Sequence, residues 1–76
     1  MKPEKAFGIV LRGKRKKSGI SQEKLAQDSG LDRTYISLLE RGLRQPTLKT
    51  MISISKALEL DLLSLISEVL KVINED

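Results

Sequence analysis

The apolar residues of this chain recur at spacings of three and four, and short gaps rich in glycine or caps interrupt them. Phe7, Val10 and Leu11 make the first set, over residues 3–17, where Pro3 suits a first helical turn and Gly19 ends the pattern. Ser21 is placed to cap a second segment, 22–29, with Leu25 and Ala26 inward and Gly30 as its stop. Asp32 precedes a third segment, 33–41, which buries Ile36 and Leu39 and halts at Gly42. Pro46 breaks the chain again. Thr47 then caps a fourth segment, 48–58, with Leu48, Met51, Ile54 and Leu58 along one face, and Asp61 caps the last, 62–74. No alternating run of strand length appears, and aromatics are only 3% of the chain, so no sheet is expected. The pattern predicts an all-α bundle of five short helices, one domain over residues 1–76, without repeats or linkers.

Two features of that pattern reach beyond the fold. About three residues separate the second and third segments, too few for a comfortable antiparallel return, which favours the near-perpendicular pair of a helix-turn-helix. The last segment is too apolar for one small core. At about 100° per residue its leucines, isoleucines and valines cover roughly half the circumference, whereas packing on a single core needs a stripe nearer 100° wide. Leu62, Leu65, Val69 and Val72 can serve the domain itself. Leu63, Ile66, Leu70 and Ile73 are then left for another chain, and a homodimer is the simplest cover.

Composition removes most chemistry. The chain has 76 residues and no Cys, His or Trp, which rules out disulfides, thiol or imidazole metal sites and His-based acid–base catalysis. No catalytic residues, metal, cofactor or small-molecule ligand are expected, because a chain this short offers no deep pocket for carboxylate or Lys chemistry. No apolar stretch approaches the ~18 residues a membrane helix needs, and the N-terminus lacks a secretory apolar region; a cytoplasmic protein with no membrane partner is expected. Charge is unevenly placed. Residues 1–50 hold 12 Lys/Arg against 5 Asp/Glu, whereas residues 51–76 hold 2 against 5. A basic N-terminal two-thirds points to a polyanion, nucleic acid before membrane.

Residues 21–42, SQEKLAQDSGLDRTYISLLERG, resemble the helix-turn-helix of phage repressors, Cro proteins and Xre-like regulators. The likeness continues through Pro46-Thr47-Leu48 and Ala57-Leu58, so it spans roughly residues 7–66. The tract Asp32-Arg33-Thr34-Tyr35-Ile36-Ser37 is similar to the short controller proteins of restriction–modification systems. The resemblance implies a lambda-repressor-like fold, a homodimer on a palindromic operator in double-stranded DNA, and transcriptional regulation, more often repression. RNA polymerase enters as a further partner, either occluded or touched from an adjacent site.

In this fold the third helix enters the major groove, N-terminal residues first, where base edges present distinct donors and acceptors. Arg33 is then placed for guanine O6 and N7, Thr34 for a hydroxyl or methyl contact, and Ser37 one turn on. Leu38 either meets thymine methyl groups or packs beside the loop into the fourth helix. Tyr35 is either a half-buried ring or, as the resemblance implies, a backbone contact. Gln22, Arg41, Arg44, Gln45, Thr47 and Lys49 surround two helix N-termini and are read together as a phosphate clamp. The resemblance also implies a structural ion pair between Arg15 and Glu40. Lys14 departs from the family pattern, which has an apolar residue there; either Val10 fills the core or the Lys14 stem lies along it. Lys16 and Lys17 read as solvated cations complementing a helix C-terminus. A rival from another class is an antitoxin or other protein-interaction module with DNA binding secondary.

Overall fold

The computed structural model describes residues 1–75 and contains five helices. These are α1 (Pro3–Lys17), α2 (Gln22–Ser29), α3 (Arg33–Glu40), α4 (Leu48–Ala57) and α5 (Leu62–Asn74), with no strand among the described residues. Helices α3 and α4 each stop one residue short of the expected end, where Arg41 and Leu58 become C-caps. Ser21 and Thr47 cap as expected, accepting from the backbone N–H of Lys24 and Thr50 at 3.0 Å each. Asp32 and Asp61 also stand at N-cap positions in extended conformation, but neither side chain makes a capping bond. Their carboxylates stay near the positive ends of α3 and α5 and act through charge alone.

Six side chains are fully buried: Leu11, Leu25, Ile36, Leu39, Ile54 and Leu65. They come from all five helices, so each helix is held by at least one residue worth about 1.5–3 kcal/mol over exposure. α1 packs on both α3 and α5, α2 packs on α3 and α4, and α4 closes on α5. Gly8 sets how closely α1 approaches α3. A Cβ built there would lie 2.5 Å from the Leu39 carbonyl oxygen and 2.6 Å from that of Glu40.

The expected face of α4 needs one correction. Leu48 is 63% exposed and does not share the core with Ile54 and Leu58, while Met51 is half-buried. At 100° per residue Leu48 falls at the edge of that arc, and Thr50 takes the inward place. Its hydroxyl is buried without penalty because it lies 3.0 Å from the Thr47 hydroxyl, which bonds to it. Of the two readings of Lys14, the first holds: Val10 fills the core, and the Lys14 ammonium pairs with Glu68 of α5 at 2.6 Å.

On α5, Leu65 and Val69 are buried, and Leu62 and Val72 are half-buried against the core, as the split of its faces predicts. Leu63 is 79% exposed and Leu70 52%. Ile66 is half-buried, and Ile73 packs partly on the protein's own core rather than projecting wholly outward. No helix among the described residues is long and apolar enough to cross a membrane.

Candidate nucleic-acid interface

The α2–turn–α3 unit is built by two local devices. Gly30 ends α2 in the left-handed conformation, at φ 70°, which costs glycine no steric clash. The Leu31 N–H then bonds back to the Ala26 carbonyl at 3.0 Å, closing the turn so that α3 starts three residues later. Ile36 and Leu39 are sealed in the core and Glu40 is buried beside them. The opposite side of α3 is open. Arg33, Thr34 and Arg41 are exposed, and Ser37 and Leu38 are half-buried. Tyr35 is half-buried and packs against the core, so its ring lies at the rim of this open face.

An ion pair fixes the angle of that helix. Arg15 Nε donates to Glu40 Oε2 at 2.6 Å and Arg15 Nη2 to Glu40 Oε1 at 3.0 Å, a two-pronged pair between α1 and the end of α3. Arg15 Nη1 also donates to the Ile20 carbonyl at 2.9 Å, and Gln22 Nε2 donates to Glu40 Oε1 at 3.2 Å. Its hydrogen bonds to Glu40, together with the carboxylate's charge, push the Arg15 guanidinium further above its ordinary pKa despite the opposing effect of burial. A raised cation contributes stability below its unfolded pKa and loses it only as pH climbs beyond, so Arg15 stays charged at any working pH. The implied pair is therefore present, and it draws in Gln22, which sequence reading assigned only to the backbone clamp.

The clamp residues do not all stand free. Gln45 Nε2 donates to Glu4 Oε2 at 2.7 Å, tying the α3–α4 loop to α1, and the Thr47 hydroxyl is engaged as a cap. Arg41, Arg44 and Lys49 are exposed and hold no carboxylate among the described residues. A shallow groove of about 650 Å³, lined by Arg15, Ser21, Gln22, Glu23 and Arg33, joins the start of α2 to the start of α3. Among the described residues, the free cation of this groove is Arg33, beside the N-terminus of α2, since Arg15 is paired with Glu40 and Glu23 adds a carboxylate at the same edge. No group of three or more acidic residues able to hold a metal occurs among the described residues.

Comparison with known proteins decides the family. A helix-turn-helix family model matches residues 11–65. The chain belongs to the helix-turn-helix family. Its members are DNA-binding transcriptional regulators rather than enzymes. Control protein C.BamHI of Bacillus amyloliquefaciens is 53% identical over 53 residues, which are 68% of this chain and 65% of that protein. The chain thus spans just under two thirds of that relative. Among solved structures, the restriction-modification controller protein C.AhdI of Aeromonas hydrophila superposes with a TM-score of 0.79 at 40% identity, covering 82% of this chain and 94% of that one. The wild-type controller protein C.Esp1396I gives 0.90 at 34% identity over 100% and 99%. In helix-turn-helix terms α2 and α3 are the paired helices.

Proposed function

We propose that this protein is a sequence-specific regulator of transcription that binds double-stranded DNA as a homodimer on a palindromic operator. The open outer face of α3, with Arg33, Thr34, Ser37 and Leu38 opposite the sealed Ile36 and Leu39, carries this reading. Arg33 bonds guanine O6 and N7; Thr34, Ser37 and Leu38 meet base edges and thymine methyls along the groove. Gln22, Tyr35, Arg41, Arg44, Gln45, Thr47 and Lys49 hold phosphates, Gln22 and Thr47 chiefly through the free N–H groups of the helices they open. Leu63, Ile66, Leu70 and Ile73 pair the two copies. Residues 1–76 act as one domain in which α5 serves core and dimer at once. Such a protein works in the cytoplasm, where the DNA is, and acts by blocking RNA polymerase or by touching it from a neighbouring site.

Relatives named as control proteins of restriction–modification systems support placing this chain in the same role, setting the expression of such genes and its own. Fluorescence anisotropy with genomic duplexes at two salt concentrations tests the proposal. A subset of duplexes should stay bound against competitor DNA, with affinity falling steeply as salt rises. Binding blind to sequence would overturn it. The exposed Leu63 and Leu70 also fit the rival reading, an antitoxin whose last helix covers a different protein; sedimentation of the isolated chain as a monomer at micromolar concentration would favour that.

A further inference from the structure

The outer face of α1 is a charged surface that the proposed reading leaves unused. Lys2, Lys5, Ile9, Arg12 and Lys16 follow one another at intervals of three and four, so they form one line along the helix, and all five are exposed. Lys5, Arg12 and Lys16 pair with no carboxylate among the described residues. Of these, only Lys16, in the last turn, complements the helix dipole. Arg12 and Lys16 repel one another across one turn, and Lys2 and Lys5 stand at the N-terminal end, where the dipole disfavours cations.

The direction of the line follows from packing. Gly8 faces α3, and Phe7 and Leu11 face the core. At about 100° per residue, the line projects roughly 160° away from the mean direction of Phe7 and Leu11. α3, packed beside α1, likewise sends Thr34 and Arg41 away from the core. Each end of the line meets the DNA face already described. Lys2 shares a shallow groove with Arg44 and Gln45, while Arg12 and Lys16 flank Arg15, which lines the other groove with Arg33.

We infer that Lys5, Arg12 and Lys16 form a second row of phosphate contacts, gripping the duplex backbone beside the base pairs that α3 reads. This rests on the DNA-binding role proposed above. From Lys5 to Lys16 the helix rises about 16 Å, which matches about five nucleotides of one strand at ~3.4 Å each.

The experiment is a salt titration of the full chain on a random-sequence 30-base-pair duplex, read by anisotropy. Arg12→Ala/Lys16→Ala is compared with Lys56→Ala/Lys71→Ala, which removes the same charge outside the face. Loss of two phosphate contacts should flatten the slope of log affinity against log salt by about 2 per protomer, with all sequences weakened alike. The control pair should leave the slope unchanged. An unaltered slope in Arg12→Ala/Lys16→Ala overturns the inference while leaving the reading role of α3 intact. An equal loss in the control pair overturns it too, by reducing the effect to net charge. Failure of the unsubstituted protein to bind any duplex would instead sink the DNA-binding role itself.

Discussion

Arg33 and Glu40 sit seven residues apart on the same short helix and do opposite jobs, because Arg33 opens the helix where it is exposed and Glu40 ends it where it is buried beside α1. Arg33→Ala removes a side chain that supports nothing in the fold. It should relax discrimination at one base position by about 1–3 kcal/mol in a competition assay, with the thermal melt unmoved. Glu40→Ala strands the Arg15 guanidinium and leaves the Gln22 amide without its partner. Breaking a wholly buried pair costs ~3–5 kcal/mol; here one edge of the guanidinium opens onto the groove, so about 2–3 kcal/mol is expected in urea unfolding. The two residues could be told apart in the sequence only through register and position: Ile36 and Leu39 fix which side of the helix is inward, Thr34 falls opposite them, and Arg33 stands at the helix start. What register could not supply is Gln22 reaching Glu40, or Gln45 reaching Glu4 from 41 positions away. Such pairs depend on how whole helices are laid together, and no local pattern encodes that.

Helix boundaries were nearly complete in the sequence because they rest on local chemistry: Ser21 and Thr47 as caps, Gly30 as a left-handed stop, Pro46 as a breaker. The exceptions are instructive. Asp32 and Asp61 have cap chemistry but not cap geometry, since a carboxylate near an exposed N-terminus is already solvated and gains little by closing the bond. Leu48 reads as core by spacing, yet it occupies the first turn of α4, where nothing packs over its side of the helix. Glu59 follows α4 at φ 56°, a conformation that costs a non-glycine residue about 1 kcal/mol. Glu59→Gly should therefore recover up to about 1 kcal/mol, less the added freedom of the unfolded chain, and raise the melting temperature slightly by calorimetry. Gly8→Ala should do the reverse. Its Cβ would press on two backbone carbonyls that cannot move aside, so α1 and α3 must separate, at a cost of about 1–3 kcal/mol.

At the scale of the whole molecule, the distribution of charge and apolar surface bears on the proposed pairing of two copies. The basic residues gather on α1 and in the segment that follows α3, whereas α2 and α3 themselves carry only Lys24 and Arg33, and α5 is uncharged along Leu63, Ile66, Leu70 and Ile73. Two copies can therefore approach through α5 without bringing their basic faces together. A protomer measures 33 × 23 × 23 Å, a size at which two copies joined through α5 can set their α3 helices about one DNA turn, ~34 Å, apart. Half of α5 was legible as surplus to the core from its angular width alone. The place of Ile73 was not, because its partial burial depends on where α5 lies over α1. Leu70 is the cleaner probe of the pairing, since it is exposed and contributes little to the monomer's core. Leu70→Asp places a charge in what would be a dry interface, and its desolvation is not offset by any cation on that face. The monomer should keep its melting temperature at low concentration, while sedimentation should shift from dimer toward monomer. Well below saturation, operator occupancy should then rise with the square of protein concentration, because each half-site must be filled separately. A Leu70→Asp protein that sediments as a tight dimer and binds the operator unchanged would show that the copies meet elsewhere, and α5 would need a different partner.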